Sequence, residues 1–314
     1  MALRIAYFGS SEFSASVMEA LAHDSRFEIV IVVTQPDSIQ GRKRELSAPP
    51  VKKAAINLGL PVWQPKSLKG PKATEKFLRF NLDFGVVVAY GKIIPEVFLN
   101  HPQKGFLNGH ASDLPRFRGA APIHRAILHQ DQNTAMTIMK MTPRLDDGDV
   151  FLREVIEIGP DDGFISVESR LMKSCSSLLP QALVSYDTTK PVPQNHSLAC
   201  YADKISISDA YIDLSEDVLT AYAKIRAFEC LYGGILIKDK KRVAIFKARV
   251  EKTSHTQPPG SVVMLTRKSF GIALTGGILF PLELQMEGRK CMQVSQFLAG
   301  NQLLETDRFT GINS

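Results

Sequence analysis

The chain has 314 residues, 44% of them hydrophobic and 22% charged, with a formal net charge of +6. That length calls for one large or two medium cores, and that composition excludes a disordered or low-complexity protein. The basic excess leans towards an acidic partner such as nucleic acid, while four scattered cysteines (Cys175, Cys200, Cys230 and Cys291) argue against a C-x-x-C zinc site and a disulfide framework.

The chain reads directly into a strand at Leu3–Phe8, ending at Gly9. No basic segment with a cleavable apolar run precedes it and no apolar stretch could span a bilayer, so a cytoplasmic location is expected. Helical periodicity follows over Ser14–Ala22, then a strand over Phe27–Val33. A long polar loop, Gln35–Pro50, carries Gly41-Arg42-Lys43-Arg44. Val51–Leu58 reads as a helix, Pro61–Trp63 as a short strand and Ala73–Phe80 as another helix. Phe84–Ala89 is a continuous apolar run, typical of a strand buried on both faces. This alternation predicts a doubly wound, mostly parallel, Rossmann-like sheet. The first turn is Gly9-Ser10-Ser11-Glu12-Phe13 and lacks G-x-G-x-x-G, which leaves a dinucleotide site with little support.

The richest segment is Asn108–Arg118, N-G-H-A-S-D-L-P-R-F-R, after the short apolar run Gly105–Leu107. Asn108 and His110 are two apart, so on a strand they share a face. An amide beside an imidazole can hold a developing oxyanion and move a proton. Leu145-Asp146-Asp147-Gly148-Asp149 adds a carboxylate-rich turn, and together they suggest acyl-transfer chemistry. Between and after these come a helix over Ile123–His129, strands over Thr134–Met141 and Asp149–Ile158, and a helical pattern over Phe164–Tyr186 broken near Pro180.

Composition changes at Asp187–His196, a polar, proline-bearing stretch that reads as a linker. Beyond it lie a helix over Val218–Phe228 and short strands at Gly234–Lys238, Arg242–Val250, Ser261–Thr266, Phe270–Leu274 and Ile278–Leu284. These fit a small antiparallel barrel. The expected division is a catalytic domain over 1–187, a linker over 188–206 and a second domain over 207–314.

Taken together, the motifs resemble the folate-dependent formyltransferases. The resemblance rests on N-x-H at Asn108–His110, S-x-L-P-R-x-R-G-A-A-P-I from Ser112 and L-D-x-G-D from Leu145. It extends, in the family's order, over Val33-Thr34-Gln35-Pro36-Asp37, Gly41-Arg42, Pro50-Val51-Lys52, Val88-Ala89-Tyr90-Gly91, Tyr201-Ala202 and Ile225-Arg226-Ala227-Phe228. It implies direct formyl transfer from 10-formyltetrahydrofolate to the amine of initiator methionyl-tRNA, for translation initiation, with no metal. Asn108 and His110 would hold the formyl oxygen; Asp146 would orient His110 and take the amine's proton. Asp147 and Asp149 are rivals by position, and the family's L-D-x-G pattern favours Asp146. Folate contacts would come from Ser112, Asp113, Leu114, Pro115, Val88, Ala89 and Tyr90, with Asp113 standing where the family usually has Leu.

The resemblance also implies an OB-like second domain, a monomer, and tRNA contacts from Arg42, Lys43, Arg44, Lys204 and Arg226. Glu229–Gly233 departs from the family pattern. Three rivals remain: a sugar-amine N-formyltransferase using the same donor, a hydrolase of that folate, and a folate- or RNA-binding module without turnover.

Overall fold

A computed structural model describes residues 1–40 and 45–311. By contacts, the chain divides into two compact units. The first is Met1–Pro122 with Thr134–Ile156 and Glu168–Ala202; the second is Ile123–Asn133 with Glu157–Val167 and Asp203–Ser314.

The sheet of the first unit has seven strands, in the order Val150–Glu157, Asn133–Lys140, Phe106–His110, Phe84–Val88, Leu3–Gly9, Phe27–Val33, Val62–Trp63. From Phe106–His110 to Val62–Trp63 every neighbouring pair is parallel, while Asn133–Lys140 runs antiparallel to Phe106–His110. Phe84–Val88 is buried along its whole length, as a central strand covered on both faces must be. The order reverses between Leu3–Gly9 and Phe84–Val88. Their carboxyl ends therefore open a crevice, the place where open α/β sheets take ligands.

Aromatic packing fixes that end of the sheet. Phe8 meets Tyr90 edge-on with ring centres 5.5 Å apart, and Phe77 stacks on Phe98 at 4.2 Å. Polar side chains then tie the following loops down. Gln35 donates its side-chain amide to the Tyr90 carbonyl at 2.7 Å, and Gln64 donates to the Asp37 carboxylate at 2.7 Å. Lys52 pairs with Asp37 at 2.8 Å. The Gln64 amide and then the Lys52 ammonium hold the Asp37 carboxyl below its ordinary range.

Three expectations about local structure are corrected. The first helix starts at Glu12, because Ser11 caps it by accepting the Ser14 N–H at 3.2 Å. The helix Phe164–Val184 runs through Pro180 without breaking. Proline removes one N–H, and the buried Leu179, Ala182 and Leu183 keep that stretch packed against the core. The insertion after Gln35 is not structureless: Ser38–Gln40 pairs antiparallel with Glu45–Ser47, with Ile39 opposite Leu46.

The second unit is built on a six-stranded antiparallel sheet. Its order is Gly234–Lys238, Lys241–Lys252, Gly277–Met286, Gly271–Leu274, Val262–Val263, with Met292–Gln293 also on Gly277–Met286. Bridges Ile237↔Thr310 and Ser261↔Arg308 join the two ends of that path and give it its barrel character. Phe309, between those bridges, is fully buried and stacks on Phe270 at 5.9 Å. Asp217 caps the helix Val218–Ala227 by accepting the N–H groups of Leu219 and Thr220 at 2.8 and 2.9 Å.

His124 lies in this second unit, its ring 4.3 Å from that of Phe164 and 5.8 Å from that of Phe228. Its Nε2 is buried without a hydrogen-bond partner. Burial, aided by the charge of Arg125, pushes its pKa down to about 4 from an ordinary value of 6.5. Below that ordinary value the unfolded chain takes up a proton that the folded unit resists. The stability held above it is therefore lost as pH falls towards 4, by ~1.4 kcal/mol per pH unit within that window. Thermal melts should show His124→Phe losing less stability than the parent between about pH 6.5 and 4.5. Parallel pH dependences would show that the imidazole plays no part.

Candidate active site

Alternation along Phe106–His110 sends Asn108 and His110 to one face. Both are nearly buried, Asn108 8% exposed and His110 6%. Asp146 approaches from the turn that follows Lys140, with φ +46°, a left-handed conformation that is strained for a non-glycine residue. Gly148 packs that turn tightly: a Cβ there would lie 1.9 Å from the Lys140 carbonyl oxygen.

The three side chains converge. Asp146 Oδ1 is 3.4 Å from Asn108 Nδ2, and Oδ2 is 3.8 Å from His110 Nδ1. Oδ2 also accepts the Gly119 N–H at 2.9 Å. His110 Nε2 lies 3.0 Å from the Phe117 carbonyl oxygen. A carbonyl can only accept, so Nε2 carries the hydrogen and Nδ1 is the atom turned to Asp146. One amide donor, one titratable nitrogen and one carboxylate thus share a small volume. Such a group can bind a carbonyl oxygen and exchange a proton with an attacking amine.

One of the two rival carboxylates is otherwise engaged. Asp147 is buried, accepts the Thr142 hydroxyl and pairs with Arg144 at 2.7 Å. Residues beyond the three converging ones complete the surroundings. Tyr201–Ala202 pairs in parallel with Arg118–Gly119, and the Arg118 N–H donates to the Cys200 carbonyl at 2.9 Å. Val192 bridges Val150, so the stretch expected as a linker is structured over this length. A cleft of about 340 Å³ lies on this flank, lined by Arg118, Arg144, Leu145, Asp147, His196 and Tyr201, among others. A larger one, about 570 Å³, belongs to the second unit and includes Tyr222, Arg226 and Lys252 but none of the three converging residues.

The remaining expected site residues divide. Ser112 is fully buried and donates its hydroxyl to the Arg116 carbonyl at 2.7 Å. Asp113 pairs with Arg153 at 2.6 Å, and Leu114 is buried beside a half-buried Pro115. Val88 and Tyr90 are buried, whereas Ala89 between them is exposed at φ +46°. Burial pushes the Tyr90 phenol up to about 12. Lys204 is exposed. Arg226 is turned inwards, donating to the Asp162 carbonyl at 2.7 Å with its guanidinium 5.1 Å from the Tyr222 ring centre. Arg42, Lys43 and Arg44 lie outside the described residues. Among the described residues, no group of three or more His, Cys, Asp or Glu could hold a metal ion, and no helix is long and apolar enough to cross a membrane.

Comparison with known proteins bears on this geometry. Residues 3–183 match the family model for formyl transferase, and 204–302 match the model for the formyl transferase C-terminal domain. A methionyl-tRNA formyltransferase of Dictyoglomus turgidum is 39% identical over 313 residues, covering 98% of this chain and 99% of that protein. One from Thiobacillus denitrificans is 37% identical over 302 residues, covering 96% and 97%. Among solved structures, an N-formyltransferase from Helicobacter canadensis, in complex with folinic acid and dTDP-3-aminofucose, aligns with a TM-score of 0.67 at 14% identity, covering 90% of this chain and 99% of that one. HypX from Aquifex aeolicus, in complex with tetrahydrofolic acid, aligns at 0.63 with 16% identity, covering 95% and 47%. At those identities the solved structures speak for the fold alone.

Gly119 offers a direct check on the convergence. Its φ is +117°, and a Cβ there would sit 2.8 Å from the Ala202 carbonyl oxygen. Gly119→Ala should cost ~1–3 kcal/mol and draw the N–H away from Asp146. Turnover of the folded variant is expected to fall about tenfold or more. Gly300→Ala, with nothing within 4 Å of the added methyl, is the control and should change neither quantity.

Proposed function

The chain belongs to the formyl transferase family, and from that premise we propose that it transfers the formyl group of 10-formyltetrahydrofolate to the free amine of initiator methionyl-tRNA. The product is the N-formylmethionyl-tRNA that starts translation. The observation that carries the reading is the convergence of three side chains, with the Asp146 carboxylate 3.4 Å from the Asn108 amide and 3.8 Å from His110 Nδ1. Likeness to methionyl-tRNA formyltransferases over nearly the whole chain supports the choice of acceptor. The chain is read as a catalytic domain over 1–187, a linker over 188–206 and a second domain over 207–314, a reading supported by family matches over 3–183 and 204–302.

The folate supplies an activated formyl group on nitrogen. The chain offers it the exposed backbone turn at Ala89 and the Ser112–Pro115 segment, a lining of backbone amides and small or apolar groups that suits a flat heterocycle. Val88 and Tyr90 support that turn from within, and Asp113 and Ser112 shape the segment through Arg153 and Arg116.

Asp146 accepts a proton from the acceptor's ammonium, freeing the nitrogen lone pair for attack on the formyl carbon. As the new C–N bond forms, charge gathers on the formyl oxygen. The Asn108 amide donates to that oxygen, and His110, when protonated on Nδ1, does the same. The carbon–nitrogen bond to the folate then breaks, and the departing nitrogen takes up the proton that the newly bonded amine nitrogen loses. A single preorganised donor of this kind is worth ~10²–10³ in rate.

The acceptor end enters along the flank of Arg118, Arg144, His196 and Tyr201, where an exposed ring beside cationic groups suits a terminal nucleoside. Arg42, Lys43 and Arg44, which in sequence lie between the paired segments Ser38–Gln40 and Glu45–Ser47, are proposed to meet acceptor-arm phosphates, with Lys204 adding charge. Arg226, tied to Asp162, serves the packing of its own unit first. The enzyme is read as a cytoplasmic monomer. The basic run Arg42-Lys43-Arg44 favours an RNA acceptor over a sugar amine, which needs no such charge.

Alanine at Asn108, His110 or Asp146 should each lower turnover by at least ~10², with double variants far from additive. Near-normal turnover in a folded Asn108→Ala or Asp146→Ala would remove the assignment. Formyl transfer compared on charged initiator tRNA, elongator tRNA and nucleotide-sugar amines tests the acceptor. Neutralising Arg42, Lys43 and Arg44 together should weaken tRNA binding and flatten its dependence on salt, because fewer counterions are released. Unchanged binding at every salt concentration would show that these three charges do not meet RNA.

A further inference from the structure

Gln194 stands in a polar stretch, yet the residue is only 7% exposed. Its Nε2 donates to the Asp146 carbonyl at 3.0 Å and to the Gly148 carbonyl at 2.7 Å. Its Oε1 accepts from Arg118 Nε at 3.1 Å and from Arg118 Nη2 at 2.7 Å. An amide has two N–H donors and two acceptor lone pairs, and here all are in use. The orientation is fixed chemically: reversed, the amide would turn N–H groups on a guanidinium and an oxygen on two carbonyls.

Arg118 is itself 4% exposed, and its neighbours reach the proposed catalytic groups. Phe117 accepts from His110 Nε2, and Gly119 donates to the Asp146 carboxylate. One short segment therefore contacts both His110 and Asp146, and Gln194 binds that segment to the backbone of the turn that carries Asp146. The turn needs such support, since Asp146 sits at φ +46° and local strain persists only where the surroundings over-determine it.

We propose that Gln194 and Arg118 are positioning residues: their shared hydrogen bonds set the distance and aim of the Asp146 carboxylate relative to His110. This rests on the assignment of Asp146 as the proton acceptor. Neither side chain needs to touch the formyl group or the amine; both act through Asp146.

The test replaces Gln194 in the full chain. Gln194→Leu keeps the volume and deletes all four hydrogen bonds; Gln194→Asn keeps the amide but cannot span both partners. Single-turnover formyl transfer to charged initiator tRNA, corrected for the folded fraction, should slow about 10- to 100-fold in either variant, the scale of a misplacement near 1 Å. The KM for folate should stay within about twofold of the parent. Adding Gln194→Leu to Asp146→Asn should slow the reaction no further than Asp146→Asn alone, an epistasis that general destabilisation would not produce. If Gln194→Leu does not fold, Gln194→Asn decides the question by the same readouts. Parent-like rates in the Gln194 variants, or losses that multiply with Asp146→Asn, overturn the proposal provided Asp146→Asn is itself impaired. A fully active Asp146→Asn would instead overturn the site assignment beneath it.

Discussion

The 2.9 Å hydrogen bond from the Gly119 N–H to the Asp146 carboxylate joins two segments that the sheet alone would leave unconnected. Asn108 and His110 need no help to stay together, since one strand sets their spacing. Asp146 comes from a different turn, and its side chain reaches the strand only if both the Phe117–Gly119 segment and the turn are held in place. The glycines at 119 and 148 permit approaches that any side chain would block. The parallel pairing with Tyr201–Ala202 holds one side, and the Gln194 amide holds the other.

Burying a carboxylate is costly unless its oxygens are satisfied, and the environment of Asp146 is graded in that respect. Oδ2 has a short backbone donor, while Oδ1 has the Asn108 amide at 3.4 Å and His110 stands 3.8 Å from Oδ2. The carboxylate is held by one strong contact and left with weaker ones on the side where a substrate ammonium could improve them. Asp147, by contrast, spends its charge on Arg144 and Thr142. Adjacent residues with the same functional group thus do opposite things, one stabilising the turn and the other presented to the site.

Much of this was legible in the sequence. Strand alternation placed Asn108 and His110 on one face, and the unbroken apolar run 84–89 announced a central strand. The short strands after Gly234 announced the antiparallel sheet. Other features were hidden because their causes are non-local. Pro180 looked like a helix breaker, since local propensity counts a lost N–H and not the buried residues around it. The pairing of Ser38–Gln40 with Glu45–Ser47 was obscured by the charged residues between them in sequence. Gln194, Cys200 and Tyr201 carry no local signal of partnership with residues near 118, because a stretch rich in Pro, Gln and Asn reads the same whether it is a tether or a brace. The resemblance implied a tRNA contact from Arg226, and only packing reveals its hydrogen bond to the Asp162 carbonyl.

The pairing of Tyr201–Ala202 with Arg118–Gly119 also concerns the order in which the polypeptide is made. The parallel strands and all three converging side chains have emerged by Glu157, where the last strand of that sheet ends. The Gln194 amide, the Cys200 carbonyl and the short partner strand come later. A nascent chain, or a fragment cut at residue 187, holds every residue of the motif without the segment that braces it. During vectorial synthesis, then, the chemistry is spelled out well before the geometry that would let it act.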